Sequence, residues 1–333
     1  MCPDPIATSI TVEVPHRISG FFEIVDHSLP PEPALDDLAS IGSRGGGPCL
    51  SACGTTRVDI DPDGEPGSVS ISINGEDCSE SAKTTRSVLK WMGEGWLADN
   101  AISIVHEFPM QPGSGYGSSG CGATGTAIAL NLLFDVGYTL GECGKFAHCA
   151  EVENRTGLGT VGGLITGGCT ITMAPGYPFA MNTIVVPSVY RIACATRGSL
   201  STAQILSDPK CRKVIIRSGR VAMDRITEKF SIEHYMRVAI DFVKDTGMLG
   251  MPELDLGGVK NIMDILNGAS ERGILGASMN QLGKSVYCVY APREGSEEFI
   301  ASSFQENGFP VVKFLHFHET GPRVLEFVRR KPY

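Results

Sequence analysis

The chain has no apolar run near the ~18 to 20 residues that a membrane-spanning helix requires. Its start, Met1 to Val14, lacks the basic segment and apolar stretch of a secretory leader. A soluble, cytoplasmic protein with no membrane partner is therefore expected. Positive charge is also short: 28 Lys plus Arg face 37 Asp plus Glu, a net charge of −9. Nucleic-acid binders usually carry a basic surplus, so no nucleic-acid partner is expected. No CxxC pair occurs among the eleven cysteines. The odd count and the spacing argue against a disulfide framework and a zinc site, and leave buried, reduced thiols. His316 and His318 alternate on an expected strand, a pattern that suits a metal pair but more often belongs to a core or edge strand.

What the chain has in abundance is glycine, 40 of 333 residues. Half of them fall in two stretches, Gly42 to Gly54 and Gly113 to Gly168. Such clusters usually mean tight turns or backbone lying against a ligand. A 42% share of hydrophobic residues can bury a sizeable core. The length exceeds the usual ~100 to 200 residues of one domain and predicts two domains sharing a cleft.

Periodicity predicts strands at Ser9 to Val14, Val58 to Asp61, Val69 to Ile73 and Ala101 to Phe108, with a loop at Ile41 to Gly47. Helices are predicted at Ser79 to Met92, capped by Ser79, at Ser119 to Phe134 and at Leu140 to Asn154. On the last of these, His148 and Glu151 lie three apart and share a face. Beyond Gly168, strands are expected at Thr170 to Met173, Thr183 to Tyr190, Ser285 to Tyr290 and Pro310 to Phe317. Helical periods cover Ser201 to Phe230, Ile232 to Thr246, Val259 to Arg272 and Glu297 to Gln305. The change of pattern near Gly168 to Pro178 divides the chain into α+β halves, 1–170 and 171–333.

The strongest local signal is Pro112, Gly113, Ser114, Gly115, Tyr116, Gly117, Ser118, Ser119, Gly120, placed after a strand and opening a helix. Closely spaced glycines let successive N–H groups turn toward one anion, and the helix N-terminus adds partial positive charge. A triphosphate suits such a loop, with the Ser118 and Ser119 hydroxyls available to phosphate or Mg²⁺. The lysine of GxxxxGK[ST] is missing, which excludes a Walker loop, and the spacing departs from GxGxxG.

Residues Pro112 to Cys121, PGSGYGSSGC, resemble the second signature of the GHMP kinases, roughly PxGxGLGSSAA, with Tyr116 for Leu and Gly120 for Ala. Four further segments, PHRISGFFE (Pro15 to Glu23), GSRGG (Gly42 to Gly46), AHCAEVENRTGLG (Ala147 to Gly159) and GASMNQLGKSV (Gly276 to Val286), are similar to the archaeal pantoate kinase group. The resemblance implies the two-domain GHMP kinase fold: an N-terminal α+β domain like the second domain of ribosomal protein S5 and a ferredoxin-like C-terminal α+β domain. It implies ATP and Mg²⁺ as cofactors and a small hydroxy acid as substrate partner, with a homodimer left open. Carried over by position, Ser119 and Glu151 hold the metal, and Ser119, Glu151 and His148 form the catalytic set. The substrate set is His16, Ser19, Ser43, Arg44, His148, Arg155, Thr160 and Thr172.

Two departures bear on the substrate. Pantoate kinases have an aspartate after GLG where this chain has Thr160, and an arginine twelve residues later where it has Thr172. Threonine neither accepts a proton at neutral pH nor makes the bidentate arginine–carboxylate pair. The expectation drawn from these departures is mevalonate 3-phosphate, phosphorylated on its 5-hydroxyl in archaeal isoprenoid biosynthesis. Arg17, Arg44, Arg155 and Lys284 would then meet its extra phosphate. Pantoate phosphorylation in archaeal coenzyme A biosynthesis is the alternative, and His148 or Glu153 would serve if a base is used.

Overall fold

The computed structural model describes residues 5–330, apart from 94, 96, 97 and 201. The first sheet is built around β3 (Gly42–Asp61), a twenty-residue strand with two sets of neighbours. Its second half pairs antiparallel with β1 (Ala7–Arg17) and β6 (Ala101–Glu107), and its first half with β2 (Phe21–Val25) and β7 (Cys169–Ala174). β4 (Val69–Ile73) runs parallel to β6, with β5 (Glu76–Asp77) beyond it, and β8 (Ala180–Ile184) pairs with β7. At the other edge β13 (Arg323–Arg329) returns from the end of the chain to pair with β1. Position 170 therefore falls inside β7, and three strands of this sheet lie mostly or wholly beyond it.

Segment Gly42 to Gly47 is strand, not the loop its glycines suggest. Side chains are excluded there by packing: a Cβ on Gly45 would collide with the Phe21 backbone, and one on Gly47 with the Tyr235 hydroxyl. Helices α1 (Leu35–Ala39), α2 (Lys83–Met92), α3 (Ser118–Leu133), α4 (Leu140–Asn154) and α5 (Thr160–Thr166) belong to this part of the molecule. α2 starts later than expected, because the Ser79 hydroxyl accepts from Ile71 N–H at 3.0 Å and does not cap a helix. α4 is capped by Thr139 and Glu142, each satisfying the other's backbone N–H. Ile10, Val12, Val58 and Ile104 of the sheet pack against Leu130 and Leu133 of α3.

The second sheet has the order β10 (Ile274–Asn280), β11 (Ser285–Tyr290), β9 (Arg191–Thr196), β12 (Val312–Leu315), with every pair antiparallel. Helices α6 (Thr202–Ser207), α7 (Pro209–Ile226), α8 (Ile232–Thr246) and α9 (Gly257–Asn267) come between β9 and β10, and α10 (Ser296–Glu306) between β11 and β12. That chain order is the ferredoxin-like βαββαβ arrangement. The long helical period from Ser201 breaks where Asp208 caps α7 and Pro209 takes its first position. Phe21 and Phe22 of β2 share one core with Tyr235 and Phe242 of α8 and with Tyr287 of β11, so the two sheets are joined by packing. The ten cysteines among the described residues are free thiols. His316 and His318 lie beyond the end of β12, and no group of three or more His, Cys, Asp or Glu side chains among the described residues could hold a metal.

Candidate active site

Where the two sheets meet lies a cleft of about 390 Å³, walled by the glycine loop, the turn 155–160, β3 and the 281–282 segment. Gly113, Gly115 and Gly117 adopt φ of 76°, 89° and 71°, left-handed values that side chains resist. α3 follows the loop at once, with no side-chain cap on its first turn. Free N–H groups and the helix dipole thus converge on one spot suited to an anion. Pro112, Gly113, Gly115, Gly117, Ser118 and Ser119 all line the cleft. Ser114 is buried instead and donates to Gly198 C=O at 3.2 Å, and Gly120 lies behind the wall against Glu151.

The loop is clamped from both sides. The Arg17 N–H and His16 Nδ1 reach Tyr116 C=O at 3.2 and 3.1 Å, and the Ser285 hydroxyl donates to Ser114 C=O at 2.8 Å. Asn280 and Gln281 hold the Ser19 backbone at 3.0 and 2.9 Å. The PHRISG and GASMNQLGKSV segments therefore fix the loop from opposite domains.

Behind Ser119 sits Glu151, 1% exposed, whose Oε1 accepts from the Ser119 hydroxyl at 2.6 Å. Its Oε2 has no hydrogen-bond partner, and the nearby Thr156 hydroxyl is engaged with Thr84 at 3.2 Å. Burial pushes the Glu151 carboxyl up to about 7, against the opposing pull of the Ser119 and Thr156 hydroxyls. A Cβ on Gly157 would run into this carboxylate, and one on Gly120 would lie 2.9 Å from it. An orphaned carboxylate oxygen, two adjacent hydroxyls and a space kept clear by glycine fit a hard divalent cation that takes its other ligands from phosphate. Ser119 and Glu151 would hold Mg²⁺ there. The chemistry such an ion would supply there is neutralisation of charge on the nucleotide phosphates.

The acceptor end of the cleft holds some of the residues expected from sequence and not others. Ser19, Ser43, Arg155 and Thr160 line it. Four do not, and each has a physical reason. His148 is 1% exposed, with Nε2 on Ile41 C=O at 2.8 Å and its ring edge-on to Phe179; burial draws it down to about 4. His16 is a fully buried strut beneath the loop and is drawn down to about 4 for the same reason. Arg44 is held across β2 and β3 by Glu23, its Nε donating at 2.8 Å. Thr172 is 3% exposed and paired with Gly45 in the sheet. His148 is thus placed to position α4 against the Ile41 segment, not to touch an acceptor. Glu153, the other suggested base, is bound to Lys90 at 2.7 Å and to Trp91 at 2.9 Å.

Sequence reasoning missed the apolar wall of Phe22, Leu158, Leu200, Leu206 and Leu282. Leu282 lies in a matched segment and Phe22 in another, so both had a signal; Leu200, in the loop after β9, and Leu206, on α6, had none.

Comparison with known proteins places this cleft in a family. Residues 83–167 match the GHMP kinases N terminal domain. The chain is 30% identical over 239 residues to a pantoate kinase of Thermococcus kodakarensis, covering 71% of this chain and 75% of that one. A solved phosphotransferase related to the CoA biosynthesis pathway superposes with a TM-score of 0.78 at 25% identity, over 95% of this chain and 98% of that one. Mevalonate-3-kinase of Thermoplasma acidophilum, with mevalonate 3-phosphate and ADP bound, shares the fold at a TM-score of 0.64 and 14% identity, over 96% and 98% of the two chains. With that fold, that loop and those relatives, the chain belongs to the GHMP kinase family, as an ATP-dependent kinase acting on a hydroxyl group.

Proposed function

We propose that this kinase transfers the γ-phosphoryl group of ATP to the primary hydroxyl of pantoate. The observation that carries the reading is the composition of the acceptor end. Phe22, Leu158 and Leu206 offer apolar surface to a branched, dimethylated carbon, while Arg17 and Arg155 are the only Lys or Arg side chains on the cleft wall among the described residues. Mevalonate 3-phosphate would bring a phosphate dianion besides its carboxylate, and two of the four cations proposed to meet it are spent elsewhere. Arg44 is paired with Glu23, and Lys284 donates to Asp255 at 3.0 Å. The pantoate kinase relative supports the same order, which reverses the preference drawn from Thr160 and Thr172 alone. The mevalonate-3-kinase likeness supports the fold and not the substrate.

In this reading the glycine-loop N–H groups and the start of α3 hold the triphosphate, and the Ser119 hydroxyl and Glu151 fix its metal-facing side. The acceptor lies between Ser43, the turn 157–160 and Phe22. With a loose transition state, positioning and charge neutralisation carry most of the acceleration, so a neutral Thr160 in place of an aspartate is tolerated. The test is ADP release by the purified protein supplied with ATP and either pantoate or mevalonate 3-phosphate. Turnover of pantoate with kcat/KM at least tenfold above that for mevalonate 3-phosphate is expected; the opposite ranking would sink the reading.

A further inference from the structure

Arg17 is 1% exposed and reaches the cleft wall from the end of β1. Its Nη2 donates to Thr170 C=O at 2.6 Å and its Nη1 lies 3.5 Å from Thr160 C=O, while Nε has no partner. No carboxylate pairs with it among the described residues, in contrast to Arg44, Arg57, Arg212, Arg225 and Arg323. The titratable groups around it are Cys49, Cys169 and Tyr235, and burial pushes the two thiols up to about 11 and 12, so none supplies negative charge. A seat is built for the guanidinium all the same: a Cβ on Gly163 or on Gly46 would fall within it. A guanidinium cannot shed its proton to escape burial, and an unpaired buried charge is costly, so such a seat persists where a ligand completes it.

We infer that Arg17 is the receptor for the acceptor's carboxylate, and that it sets the specificity of this kinase for an anionic acid. The inference rests on the proposed acceptor class. Nη1 and Nη2, held by backbone carbonyls, present a planar fork at the floor of the pocket below Gly46, and a carboxylate is the group that matches a fork. From β1 the side chain supplies the cation that Thr172 cannot. An acceptor so held leaves its far end, the primary alcohol, pointing toward the glycine loop.

The experiment compares wild type, Arg17→Gln and Arg17→Lys with pantoate and with its neutral carboxamide. In Arg17→Gln the KM for pantoate should rise about 100-fold, with KM for ATP and kcat within a few-fold of wild type. Arg17→Lys should recover part of the loss, because it restores charge without the fork. The carboxamide should react poorly with wild type and be indifferent to the Gln substitution. An unchanged KM for pantoate would overturn the assignment. So would a fall in kcat shared by acid and carboxamide, which would place Arg17 on the transferred phosphoryl group instead. Thermal shift by pantoate in the absence of nucleotide reads the same contact in variants too slow to assay: a shift in wild type that is absent in Arg17→Gln is expected, and an equal shift counts against it. If wild type turns over mevalonate 3-phosphate and not pantoate, the acceptor reading fails, while the Arg17 comparison, run on that acid and its carboxamide, still decides the carboxylate site.

Discussion

Replacing Glu151 by Gln separates what the protein needs to fold from what it needs to act. The buried carboxyl is pushed from 4.5 up to about 7. A raised folded value means that the native state binds a proton more tightly than the unfolded chain, so stability is lost as pH rises from about 4.5 through 7. At 1.36 kcal/mol per unit, ionised Glu151 destabilises the metal-free protein by about 3 kcal/mol at pH 8. Gln keeps the shape and cannot ionise, and like the protonated acid it leaves its outer polar atom without a partner. Scanning calorimetry without nucleotide or metal should therefore show Glu151→Gln melting several degrees above wild type at pH 8, with the gap closing by pH 5. In the kinase assay the same variant should lose at least 100-fold in kcat/KM, and Mg²⁺ with an ATP analogue should stabilise it far less than wild type. Equal melting at pH 8, or unimpaired turnover, would rule out this role for the carboxylate.

Ser119→Ala removes the hydroxyl on Glu151 Oε1; kcat should fall ~100-fold, with far-ultraviolet circular dichroism unchanged. Gly157→Ala pushes a methyl into the Glu151 carboxylate, so titration calorimetry should show weaker Mg²⁺-dependent nucleotide binding, and chemical denaturation a loss of ~1 to 3 kcal/mol. Ser285→Ala frees Ser114 C=O and loosens the loop from the second sheet, which should raise KM for ATP several-fold and leave KM for the acid alone. Buried His16, His106 and His148 are each drawn from 6.5 down to about 4. Because the folded values are depressed, their stability is present above pH 6.5 and is lost as pH falls toward 4, by up to roughly 3 kcal/mol each. Denaturant midpoints should drop steeply across that window, and less steeply in His106→Asn.

The phosphate loop was readable in the sequence because three glycines at alternate positions before a helix have few other uses; Glu151 was reached through its segment's resemblance to the pantoate kinases, since helical spacing alone put it only on one face with His148. Helical spacing could not say that His148, on the same face, turns its ring to Ile41 C=O behind the cleft wall. Nor could it foresee that Glu23 lies directly across the sheet from Arg44 and neutralises it, since pairing of β2 with β3 depends on register set at long range. The strand through Gly42 to Gly47 was hidden for a related reason: Gly45 is required by Phe21, Gly46 by Arg17 and Gly47 by Tyr235, neighbours that the local sequence does not announce. β13 is exposed along its length and carries no alternation of buried and exposed residues, so only its partner β1 defines it.

The function proposed for this cleft is delivery of phosphate from ATP to the primary alcohol of pantoate. Proton-coupled phosphorus NMR of the reaction mixture tests it directly. A new phosphomonoester signal split into a triplet by the two protons of a CH₂–O group is the predicted result. A doublet, which marks the secondary hydroxyl, or no new phosphomonoester from pantoate would contradict it.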